Sequence, residues 1–296
     1  MTTTMKDLDF GTELEYINIT RKAAAQAVQS VVGGEVSHTG GSYDTWECRA
    51  ADGRIWKAVN DGSLIDAPSD ERAELVTPIL KYADLDTLQE VVRALRRAGA
   101  KATSTCSQHV HVGMQDFSPE QIANLAKIFY KQEELILKAL GTTENRLARY
   151  TRRTDATFIQ RIERRRPRTT EELNRAWFGQ QNMNPAHYDS ARYRDLNLTN
   201  LWRINTAEIR AAEGSTHAGE VKAVIVLCLA LAAKAKNARA ASSAKREYNA
   251  DSAKYDFRVF LLRLGLIGEE FKNVRMHLLK RLSGSAAWKN GRPTAA

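Results

Sequence analysis

Cysteine is scarce: Cys48, Cys106 and Cys228 are the only three in 296 residues, and none stands in C-x-x-C or other metal-ligand spacing. An odd, unspaced set of thiols implies neither a disulfide framework nor a structural zinc site, and it reads as a reduced, cytoplasmic-type chain. Long apolar runs are lacking too. The first ten residues hold no apolar signal core, and the longest apolar stretch, 223–233 between Lys222 and Lys234, is too short to span a bilayer, so it is expected as a buried helix. No internal repeat is visible, and no convincing linker divides the chain. What is present, 43% hydrophobic and 27% charged residues, excludes an intrinsically disordered chain and allows one large domain or two ordinary ones.

Charge is unevenly spread. Residues 1–145 carry 15 Lys and Arg against 21 Asp and Glu, whereas 146–175 carry ten arginines against four acids and 234–296 carry 14 bases against five acids. The whole surplus of +9 therefore sits in two segments. An acidic half joined to basic segments fits acids that hold divalent cations beside bases that meet phosphates, and it equally fits a nucleic-acid binder.

Patterning predicts strands over 10–16, 45–49, 55–59 and 102–112, with an extended segment over 72–80, a hairpin between 45–49 and 55–59, and a turn at 60–63. Helices are expected over 85–98, closed by Gly99, and from the Ser118-Pro119-Glu120-Gln121 capping box to about 140. A further helix is expected over 170–178, an extended piece over 193–198 and a strand within 201–210. Beyond Thr216 the chain reads as helical over 218–241, 255–264 and 269–282. Mingled strands and helices followed by helices imply an α+β fold with an antiparallel sheet and a helical C-terminal part.

Three residue pairs at i and i+2 each share one face of an expected strand: Glu13 with Glu15, His109 with His111, and Glu208 with Arg210. Paired carboxylates on an apolar strand are costly unless a hard cation such as Mg²⁺ joins them, although an edge strand with a wet face would also carry them. Two histidines flanked by valines suit ligands as well as core polar groups. A glutamate beside an arginine is either a salt bridge or a metal ligand next to a phosphate clamp. Together the three pairs point to nucleotide chemistry. Neither a P-loop nor an H-E-x-x-H zinc motif is present, and Gly33-Gly34 and Gly40-Gly41 are too isolated to cradle phosphates.

The ordered set Phe-Gly-Thr-Glu-Leu-Glu (10–15), Asn-Asp-Gly-Ser-Leu (60–64), Ala-Glu-Leu-Val-Thr-Pro-Ile (73–79), His-Val-His-Val (109–112), Asn145-Arg146-x-x-x-Tyr150, Arg-Tyr-Arg-Asp-Leu-Asn-Leu (192–198) and Glu208-Ile209-Arg210 resembles the amidoligase family. That family is related to the glutamate–cysteine ligases and glutamine synthetases. The resemblance runs over about 10–236. It implies an open, curved antiparallel sheet of the glutamine-synthetase/glutamate–cysteine-ligase type, with ATP and Mg²⁺ (or Mn²⁺) on its concave face and helices behind. By motif position it assigns Glu13, Glu15, Glu74, His109, His111 and Glu208 to metal, with Arg210, Asp61 and Glu208 catalytic and Arg146, Arg210 and Ser63 at the nucleotide. The activity implied is ATP-dependent joining of a carboxylate to an amine through an acyl phosphate. After Arg210 this chain has Ala-Ala-Glu-Gly-Ser (211–215), where the family shows an aromatic residue and Gly-Thr.

On this reading 1–240 forms the catalytic domain, and 241–296 forms a basic helical extension packed on it. The substrates are expected to be a small or peptide carboxylate and an amine, with no membrane partner. The alternative is a nucleic-acid-binding or nucleic-acid-modifying protein that uses 146–175 and 234–292. The segment 179–188 has turn chemistry and reads first as a surface loop, second as a cover over the substrate.

Overall fold

Residues that alternate between two surroundings build the central strand. In β1 (Phe10–Ile17) the side chains of Phe10, Thr12, Leu14 and Tyr16 are buried on one side, while Gly11, Glu13 and Glu15 occupy the other. The computed structural model describes residues 2–290. After β1 come α1 (Arg21–Val32), β2 (Glu35–Gly40), β3 (Thr45–Arg49), β4 (Ile55–Val59), β5 (Arg72–Val76), α2 (Leu85–Arg97), β6 (Ser107–Gly113) and α3 (Pro119–Leu140). Then follow α4 (Glu144–Arg149), α5 (Ala156–Arg165), α6 (Thr170–Phe178), β7 (Leu196–Asn197), α7 (Leu201–Ile204), β8 (Thr206–Glu213), α8 (Ala218–Asn237), α9 (Ala253–Arg263) and α10 (Lys272–Leu279).

The strands make one eight-stranded antiparallel sheet in the order β2-β3-β4-β5-β1-β6-β8-β7. The expected α+β architecture is therefore present. Helices cover one face: α1 lies against β3, β4 and β5, α8 against β6, and α3 against β8, while α8 is flanked by α2, α3 and α10. The apolar run 223–233 is buried throughout α8, as its composition requires, and no described helix is long and apolar enough to cross a membrane. All three cysteines are buried and free. Beyond α8, α10 packs on α8, α9 and α3.

Several elements differ from the sequence expectation. Residues 102–106 are not strand, because the Thr103 and Thr105 hydroxyls both donate to Asp66 and hold a turn before β6 begins at Ser107. Residues 201–204 form a helical turn instead of strand, and Asn205, in the left-handed conformation at φ 57°, breaks it before β8. The helix expected over 218–241 stops at Asn237, and the two after it are shifted or shortened. Four elements, α1, β2, α4 and α5, lie outside the sequence expectation, although in α5 Phe158, Ile159 and Ile162 share one buried face behind the Asp155 cap. In α1 the buried stripe is mostly alanine, which gives little periodic contrast.

Candidate active site

Four adjacent strands, β5, β1, β6 and β8, bring the polar residues together on the sheet face opposite the helices. Their register pairs Glu74 with Glu15, Glu13 with His109, Gly11 with His111 and His111 with Glu208, while Asn197 of β7 lies opposite Glu208. Directly opposed residues in antiparallel strands are close enough for their side chains to meet. Next to the row, Arg210 and Ala211 of β8 oppose the single His109 of β6, a β-bulge of the kind that re-aims side chains beside functional sites. Arg210 thereby lies against Glu208, whose Oε1 accepts from its Nη1.

Contacts run continuously along the row. His109 Nδ1 is 2.9 Å from Glu13 Oε2 and its Nε2 is 2.9 Å from Ser107 Oγ. His111 Nε2 lies 3.3 Å from Glu13 Oε1 and 3.8 Å from Glu208 Oε1, with Nδ1 3.1 Å from Thr206 Oγ1. Glu15 Oε2 accepts the Ser107 backbone N–H at 2.6 Å. Glu208 Oε2 accepts from Asn197 and Asn200 at 2.7 and 2.8 Å. Asp61 is shaped by an Asx turn in which its Oδ1 accepts the Ser63 N–H at 2.6 Å.

Three sets of ligand-type atoms each fall within 4.8 Å of one another: Glu13 with His111 and Glu208, Glu13 with Glu74 and His109, and Glu15 with Asp61 and Glu74. Their shared members link them into one chain across the sheet. All six residues expected at metal, together with Asp61, are in it. Arg210 touches it through Glu208. Arg146 is buried at its edge, with Nη1 donating to Thr105 O, and burial lowers its proton affinity while the Glu15 carboxylate partly restores it. Ser63 enters through its backbone N–H, and its hydroxyl makes no contact in the row.

The electrostatics are strained by too many negative groups. Burial raises the Glu74 carboxyl well above the usual range, and the charges of Glu13, Asp61 and Glu15 push it further. Burial alone would raise Glu13 as well, yet His111 and His109 beside it hold it well below that range. Glu208 is fully buried, which also works against ionisation, but the Arg210 guanidinium and then His111 bring it down to about 2. His111 Nε2 is a buried ring nitrogen with no hydrogen-bond partner, facing two carboxylates. Clustered carboxylate oxygens, one unspent imidazole nitrogen and mutual repulsion at Glu74 suit hard divalent cations such as Mg²⁺ or Mn²⁺.

Sequence reasoning assigned no role to Asn197, Asn200 and Thr206, which hold Glu208 and His111 in place; the Asn-x-x-Asn spacing directly before β8 is the signal that marks the first two. A cavity of about 270 Å³ adjoins the row at Glu13 and His111, with Phe10, Val76, Ile79 and Ile204 supplying apolar wall. Ile79 and Ile204 are exposed there, at 73% and 56%. The 179–188 loop is tied down by Asn182 to Asn174, by Arg175 donating to Gln181 Oε1, by Arg192 donating to His187 O, and by the Tyr188 hydroxyl to that of Tyr43 at 2.6 Å.

Comparison with known families matches residues 6–232 to the family described as "Putative amidoligase enzyme". No curated protein matches the chain. Among solved structures it is similar to the crystal structure of a bifunctional glutathione synthetase from Pasteurella multocida, at 13% identity and a TM-score of 0.45, over 94% of this chain and 47% of that one. The chain thus spans about half the length of that protein.

Proposed function

The chain belongs to the amidoligase family, and from that premise we propose that it is an ATP-dependent carboxylate–amine ligase working through an acyl phosphate on a sheet of the glutamine-synthetase/glutamate–cysteine-ligase type. The observation that carries the reading is the unbroken row Glu74–Glu15–Glu13–His109–His111–Glu208–Arg210 across four strands. A carboxylate is a poor electrophile because oxide is a poor leaving group. Phosphorylation cures this: a substrate carboxylate oxygen attacks the γ-phosphorus, the bond to ADP breaks, and the amine then displaces phosphate from the acyl carbon and gives up a proton.

Glu13, Glu15, Glu74, His109, His111, Glu208 and Asp61 would hold divalent cations, which when bound neutralise the phosphate oxygens. The protein's own residues do the rest. Arg210, fixed by Glu208, presents a guanidinium to the transferring phosphoryl group, and the bulge beneath it keeps that aim without reorganisation. Asn197 and Asn200 keep Glu208 oriented. Arg146 adds positive charge at the Glu15 end. The apolar-walled cavity beside Glu13 and His111 takes the nucleoside between Ile79 and Ile204.

Replacing Glu13 and Glu15 together by Gln tests the assignment: Mg²⁺-dependent ATP turnover should vanish, and turnover at the wild-type level would remove the metal-ligand role. One observation favours a macromolecular substrate. Arg164, Arg165, Arg166 and Arg168 are exposed and form no ion pair among the described residues, which suits a polyanion carrying one of the two substrates.

A further inference from the structure

On the helical side of the sheet a second group of ligand-type residues comes together. His217 and Glu220 stand three residues apart at the start of α8, and His277 reaches them from α10; their ligand atoms lie within 4.8 Å of one another. The imidazole rings of His217 and His277 are 4.8 Å apart, centre to centre. This group is separate from the acidic row. Gln108, whose neighbour His109 faces that row, points the other way and donates to Val221 O in α8.

Two further features fit the group for an ion. The Glu220 carboxylate is oriented from behind, accepting from Ser215 Oγ at 3.0 Å and pairing with Lys280 at 2.5 Å, as ligating carboxylates commonly are. Gly219 lies under the rings: a Cβ there would sit 2.5 Å from His277 Nε2 and 3.1 Å from His217 Cε1. Glycine inside a helix costs about 1 kcal/mol relative to alanine, and here it leaves open the place the His277 nitrogen occupies.

We propose that His217, Glu220 and His277 bind one divalent transition-metal ion of the Zn²⁺ type, which clamps the C-terminal helix α10 to α8. Two imidazoles and one carboxylate favour Zn²⁺, Co²⁺ or Ni²⁺ over Mg²⁺, and three protein ligands leave a fourth position for water or a further donor.

Calorimetric titration of the full chain with Zn²⁺ in excess Mg²⁺, together with visible spectra of Co²⁺ under the same conditions, tests this. The expected result is one Zn²⁺ equivalent that resists Mg²⁺ and binds at least ~10-fold more weakly in His217→Gln and in Gly219→Ala. Gly219→Ala keeps all three ligands and raises helix propensity, so weaker binding there cannot be ascribed to a chain that fails to fold. Unchanged Zn²⁺ affinity in both variants overturns the proposal. So does a Zn²⁺ equivalent that disappears in Glu13→Gln while persisting in Gly219→Ala, because the ion then belongs to the acidic row.

Discussion

Glu208 shows how a single residue of the acidic row is held in place. A fully buried carboxylate survives ionised because the Arg210 guanidinium and then His111 offset its burial, while Asn197 and Asn200 donate to its other oxygen and orient it. Removing both amides, by Asn197→Ala with Asn200→Ala, should lower kcat about 10–100-fold through a misaligned ligand; steady-state kinetics showing an unchanged kcat would remove their positioning role. The same carboxylate sets a pH dependence. Its proton affinity is depressed in the folded state, from about 4.5 to about 2, so its stabilising contribution is full above pH ~4.5 and is lost as pH falls through that window toward 2. Acid unfolding of metal-free protein followed by circular dichroism should therefore show Glu208→Gln with a flatter stability profile between those limits than the parent. Identical slopes would contradict the assignment.

At the scale of elements, what was legible in the sequence follows from contrast. β1, β6 and β8 announced themselves because charged or imidazole side chains alternate with apolar ones, and the same alternation exposed the three site pairs. α3 was legible from its Ser118 cap and Pro119, both in place. α1 was not, since a buried stripe of alanines resembles its surroundings, and the β8 bulge that aligns Arg210 with His109 depends on pairing between distant strands that no local pattern records. Asp61 and Glu74 likewise join Glu15 only through the fold and could be named beforehand only by resemblance. Two substitutions test the packing. Leu227→Ala in the buried run of α8 should cost ~2–5 kcal/mol in denaturant titration. Gly34→Ala should also destabilise strongly, because φ is +85° there and a Cβ would fall 1.9 Å from Arg49 O. Wild-type midpoints in either variant would contradict the packing described.

Across the whole molecule the uneven charge finds its place. The acidic N-terminal half contributes β1, β5 and β6 and most of the carboxylates in the row, whereas Glu208 and Arg210 arrive from β8 much later in the chain. The family match ends at 232, within α8, so α9 and α10 lie beyond it, yet Lys280–Glu220 and Arg281–Glu213 ion pairs tie this later part to the β8–α8 region. If the exposed arginines of α5 and the residues after it receive a polyanionic substrate, binding of single-stranded RNA or DNA should weaken steeply with added salt, and Arg164→Glu with Arg166→Glu should flatten that slope. Salt-independent or absent binding would leave small molecules as the substrates.

The most direct measurement is ADP release by the purified protein with ATP and Mg²⁺, with and without a mixed pool of amino acids and polyamines, products being read by mass. The account predicts turnover that rises with the pool, is lost in Arg210→Ala, and yields a product equal to two substrates minus one water. Wild-type protein that neither binds ATP in a Mg²⁺-dependent way nor turns it over would contradict it.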